Sequence, residues 1–152
     1  MARFSVQFLK TAVVSTTPNT LGEIVGSAAA RVRITEFTLG FSSNPADIQV
    51  RWDVQRRTAV GAGGTAFTPL PLDAADAAAS TTATSAPTAE PTYTASAVLW
   101  STGQNQRATV RWFAPPDGEM IIPATAAAGL GWRTPVVNGG SPDGAASIIF
   151  NE

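Results

Sequence analysis

The chain of 152 residues contains no cysteine and no histidine, and Lys10 is its single lysine. Without cysteine there is no disulfide framework and no thiol chemistry, and the redox compartment is left open. Without histidine the usual general base is missing, together with the commonest zinc ligand and every Ser-His or Cys-His nucleophile pair. An activated-lysine mechanism has one N-terminal candidate. Any catalysis would rest on carboxylates, hydroxyls and arginines, so an enzyme is not expected.

Charge is also scarce. Asp, Glu, Lys and Arg make up 14% of the chain, against about 25% in ordinary soluble domains. The formal net charge is −1, and so weakly charged a surface resists association poorly. That balance points to a chain living in an assembly. It offers no basic arm for nucleic acid, which would demand many phosphate contacts. Long hydrophobic runs are absent too. The longest charge-free apolar stretch, "MIIPATAAAGLGW" at 120–132, is too short to cross a bilayer and is broken by Pro123. The N-terminal "MARFSVQFLKTAVV" alternates and carries Lys10 where a secretory signal needs an unbroken apolar core. A soluble protein without membrane partners is expected. Helical periodicity is missing, and at most one turn is expected around "LDAADAAAS", capped by Asp73.

What is present is the rhythm of an antiparallel β-sandwich. Turn signals stand at 17–22, 43–47, 61–64, 101–105, 115–118 and 138–144, a recurrence of roughly ten residues. Between them apolar residues alternate with period two, as in Phe4, Val6 and Phe8. In "ARVRITEFTLGF" the apolar set runs Ala30, Val32, Ile34 and then Phe37, Leu39, Phe41. That slip of one near Thr35 and Glu36 would turn the strand over unless a bulge absorbs it. The clearest strand puts Ile48, Val50, Trp52 and Val54 on one face and Arg51, Asp53 and Gln55 on the other. By parity Trp52 belongs in the core. So does Trp112, in step with Ala108 and Val110, while Trp100 and Trp132 fit either phase.

The chain length suits one domain, or a domain with an arm. Residues 1–25 read as an N-terminal strand or arm, and 26–152 as the sandwich. Within it, residues 74–92 are Ala/Thr/Ser-rich with two prolines. This reads as a long loop, with little to add to a core.

Candidate chemistry is thin. Asp73 and Asp76 form a pair without the further oxygens a calcium site needs. Glu90 and Glu119 are no better matched than any other two carboxylates. "VGAGGT" at 60–65 lacks the Gly-Lys-Ser/Thr ending of a phosphate loop and reads as a hairpin turn. No metal or other cofactor is expected. Arg51, Arg56 and Arg57 in one strand, and Arg107 and Arg111 in another, are the candidate surface charges. A binding module would need Tyr93, Trp100 and Trp132 exposed and coplanar to stack on sugar rings.

Several segments taken together resemble small virion proteins of tailed bacteriophages. They are a W-x-V-Q-R strand at 52–56, a G-T-A-x-T-P-x-x-L-D run at 64–73 and A-E-P-T at 89–92, followed by N-Q-R-A-T-x-R-W at 105–112 and I-P-A-T-x-x-x-G at 122–129. The likeness covers 36–134. It implies a decoration or cement protein on the outer capsid surface, in contact with the major capsid protein. It also implies a jelly-roll-like sandwich of about eight strands, assembled as a homotrimer. The chain's own candidate contact regions are the N-terminal arm, the 74–92 loop and the polar face carrying Arg51, Arg56 and Arg57, with Tyr93, Trp100, Arg107 and Arg111 as further candidate interface residues. The alternative is a β-sandwich binding module for a receptor or carbohydrate.

Overall fold

Strands of alternating polarity need a second layer to cover their apolar side. The computed structural model describes residues 1–13, 17–43, 45–135 and 142–152. The first strands along the chain are β1 (Arg3–Lys10), β2 (Asn19–Val25), β3 (Val32–Ser43), β4 (Gln49–Ala59), β5 (Thr65–Phe67) and β6 (Leu70–Pro71). They are followed by β7 (Thr82–Ser85), β8 (Thr92–Asn105), β9 (Val110–Phe113), β10 (Met120–Ile122), β11 (Gly129–Thr134) and β12 (Asp143–Asn151). Among the described residues there is no helix. The first sheet runs β10-β3-β12-β1-β6, with β9 also on β3, and the second runs β5-β7-β2-β11-β4-β8. All ladders are antiparallel, and the fold is an all-β sandwich. Among the described residues twelve strands stand where about eight were expected, and five of them are only two to four residues long.

The core lies between the sheets and is rich in aromatic contacts. Trp52, Trp132, Phe8, Phe37 and Phe150 are fully buried. Phe37 meets the rings of Trp100 and Trp112 at 5.0 Å and Trp132 at 6.1 Å. Trp52 packs on Phe41 at 5.5 Å, as its parity required. Trp112 also faces inward, but it is only half-buried because β9 sits at the sheet margin. Its expected neighbour Ala108 is exposed in the turn ahead of β9. The phase slip in β3 is a bulge: Ile34 lies opposite Phe150 and Glu36 opposite Ile149, leaving Thr35 as the extra residue. The Thr35 hydroxyl donates to the Ile149 carbonyl at 3.2 Å.

Two expectations change. The 61–64 glycine cluster is not a hairpin, because β4 and β5 lie at different places in one sheet, separated by β11, β2 and β7. A chain crossing a sheet at close range needs small residues as much as a tight turn does. A side chain at Gly64 would meet the Ser85 carbonyl at 2.7 Å. The 74–92 segment is not bare loop: β7 lies inside it, paired with β2 and β5, and Ala83 and Thr81 are fully buried. Threonine suits a pleated surface, and low complexity concealed the strand. Residues 1–25 supply β1 between β12 and β6, and β2 between β7 and β11. Asp73 caps a single turn, its Oδ1 accepting from Ala75 N at 2.9 Å. Asn44 and residues 138–141 of the two remaining turn signals lie outside the described residues.

Candidate functional site

The outer face of the second sheet carries a buried polar cluster. In β11, Leu130 and Trp132 point into the core, so Gly129, Gly131 and Arg133 face out. A Cβ at Gly129 would lie 2.6 Å from Arg57 Nε, and one at Gly131 would lie 2.2 Å from Tyr93 Oη. The two glycines thus form a trough in which Arg57 and Tyr93 lie flat on the sheet. Arg57 Nε sits 2.7 Å from Glu23 Oε2, and neither side chain is exposed. Glu23 Oε1 accepts from Gly61 N at 2.8 Å, and Arg57 Nη1 donates to the Ala127 carbonyl at 3.2 Å. The crossing loop at 60–64 is tied to the segment before β8 by Ala62 N donating to the Ala89 carbonyl at 3.1 Å. Together they roof the ion pair.

Beside it, Glu90 accepts from Thr20 N at 2.7 Å and from Thr20 Oγ1 at 2.6 Å. Tyr93 Oη is 2.8 Å from the same hydroxyl, with the Arg133 guanidinium 4.4 Å above its ring. Lys10 Nζ donates to the carbonyls of Thr20 at 2.9 Å and Pro87 at 2.6 Å. Lys10 and Glu90 line a cleft of about 340 Å³ with Pro18, Asn19 and Thr88. Burial pushes the Glu23 carboxyl up, with Arg57 and the Gly61 N–H pulling it back. Burial lowers Arg57 and Lys10 and raises the Tyr93 phenol. Each charged group here is held by a named partner, and the cluster welds loops to strands. Among the described residues no three acidic groups stand close enough to hold a metal ion.

The seven residues expected at an interface do not form one patch. Arg51 is half-exposed on the second sheet, clamped bidentately on Asp53 at 2.7 and 2.8 Å. Arg57, expected beside it at the surface, is buried. Its outward position in β4 is roofed by the crossing loop, which no local pattern announces. Arg56 points the other way and donates to the Ile121 carbonyl in the first sheet at 2.9 Å. Tyr93 is half-buried in the trough, and Trp100 packs edge-on against Phe37. Arg111 lies on the outer face of the first sheet, paired with Glu36 at 2.6 Å and stacked over Phe113 at 4.1 Å. Arg107 is exposed in the turn after β8.

The aromatic platform does not form: Trp132 is fully buried, and Tyr93 and Trp100 are committed to separate contacts. Glu90 is occupied by Thr20. Sequence reasoning missed Thr20, Glu23 and Arg133, and it singled out Lys10 only as the chain's lone lysine. The one available signal was Glu23 inside the run "LGEIV", the only charge in an otherwise uncharged, largely aliphatic strand. Neither a protein-family model nor a curated protein matches the chain.

Proposed function

We propose that this chain is a structural protein of a tailed-phage virion: a self-associating decoration or cement protein on the outer capsid surface that bridges subunits of the major capsid protein. The observation that carries this reading is the ordered run of motifs over 36–134. In the fold those motifs supply the middle of β4, the strands β5 and β6, the segment before β8 that helps roof the buried ion pair, and the links from β8 to β9 and from β10 to β11.

The surface chemistry supports the same reading. Leu9, Leu70, Leu72 and Phe113 are each at least half exposed, and charge is scarce throughout. Exposed apolar side chains spread over the surface suit adhesion across an area better than turnover at a point. Each copy would touch more than one capsomer, so contacts that are weak singly hold collectively.

The test uses shells of the major capsid protein prepared without this chain. Added protein should cosediment with them saturably and raise the temperature at which they open. Protein left in the supernatant at about 100 µM, where even weak contacts register, would refute the reading.

A further inference from the structure

A β-sheet edge presents unpaired N–H and C=O groups, and natural proteins blunt it with short strands, prolines, charges or bulges. Among the described residues three of the four sheet edges follow that rule. The two-residue β6 is preceded by Pro69 and ends in Pro71, and the three-residue β5 stops just ahead of Pro69. On the other edge of the first sheet, β9 has four residues and β10 three, followed by Pro115 and Pro123 respectively.

The fourth edge is different. β8 spans 14 residues, "TYTASAVLWSTGQN", with no proline and no charged side chain. Its ladder among the described residues is to β4 alone. Irregular register and the positive φ of Ser96 break its first half. Residues 100–105 then run straight, each opposite one residue of β4 from Val54 to Gln49. Leu99, 38% exposed, stands at the head of that run.

We infer that the straight part of β8 is an interaction edge, and that its occupant is the β8 strand of a second copy. Length selects the partner, because among the described residues no other edge offers a strand that could match six residues. Antiparallel pairing of a strand with itself is two-fold by construction, so the contact closes on a dimer. A net charge of −1 per chain leaves little repulsion to oppose it. Pairing would join two six-stranded sheets into one continuous sheet. The inference stands on the edge alone and does not depend on the capsid reading.

Gly103, in the middle of the run, gives the test. A Cβ there meets nothing within 4 Å, and the facing residue of β4, Arg51, is clamped on Asp53, so a side chain added at 103 has room. Sedimentation equilibrium of the full chain should show reversible dimers, and Gly103→Ala should match wild type. Gly103→Lys sets two like charges together at the two-fold and should weaken dimerisation about tenfold or more, with unchanged circular dichroism. Because the chain has no cysteine, Gly103→Cys should oxidise to a disulfide-linked dimer, whereas Ala28→Cys, exposed and away from the edge, should not. A single-chain mass up to about 1 mM would overturn the inference. So would an assembly that Gly103→Lys leaves unchanged, including a stable trimer, which would leave the capsid reading standing.

Discussion

At the residue scale the glycines separate into those that make room and those that do not. A methyl at Gly131 must displace the Tyr93 ring, and one at Gly22 would sit 2.3 Å from the buried Phe8 ring. Overpacking of this kind costs about 1–3 kcal/mol. Gly131→Ala and Gly22→Ala should each lower the urea midpoint accordingly, while Gly103→Ala stays within about 0.5 kcal/mol of wild type. The Glu23–Arg57 pair makes a second case. Removing one partner leaves a buried charge alone, at a cost of about 3–5 kcal/mol. Arg57→Met or Glu23→Leu should therefore be strongly destabilising, and the double variant should recover much of the loss. A double variant no better than the singles would show that the loops, not the charges, hold the trough.

At the scale of elements, β12 is pinned at both ends by carboxylates. Asp143 accepts from Ala12 N at 3.0 Å and from the Ser43 hydroxyl. Glu152 accepts from Ser80 N at 2.6 Å, Thr81 N at 3.2 Å and the Ser80 hydroxyl, tying the first sheet to the approach to β7. The Ser43 hydroxyl and Ala12 N–H hold Asp143 below its ordinary value. At Glu152 burial raises the carboxyl, but the hydrogen bonds from Ser80 and Thr81 outweigh it and the net shift is downward. A lowered folded value means the stabilisation is present above the ordinary carboxylate range and is lost as pH falls through the folded value. Glu23 has the opposite sign: its raised value makes its contribution decline as pH rises from the unfolded to the folded value. The urea midpoint should drop as pH falls below the ordinary carboxylate range of about 4, with a shallower drop in Glu152→Gln. An identical acid profile in that variant would remove the clamp from the account.

At the scale of the whole molecule, two sheets close over one core that holds or borders all four tryptophans. Trp52 and Trp132 are fully buried, and Trp100 and Trp112 pack on Phe37. Iodide should therefore quench only a minor part of the tryptophan emission until the protein unfolds. Quenching of most of it in the native state would contradict the packing described. The proposed roles follow from this closure, because with the indoles turned inward the surface left for contact is low in charge, with one long strand edge open.

The residues themselves dictated the all-β class, the inward parity of Trp52 and the bulge at Thr35. Each of these is written in the alternation of a single strand, and a strand's two faces are set by its own backbone period. The tertiary structure alone decided that the 61–64 loop crosses a sheet, that β7 fills a place between β5 and β2, and that Arg57 is buried against Glu23. Those outcomes depend on which distant segments meet. Main-chain ladders join any two strands with the same hydrogen bonds, so strand order is chosen by complementarity across the assembled sheets and leaves no local trace along the chain.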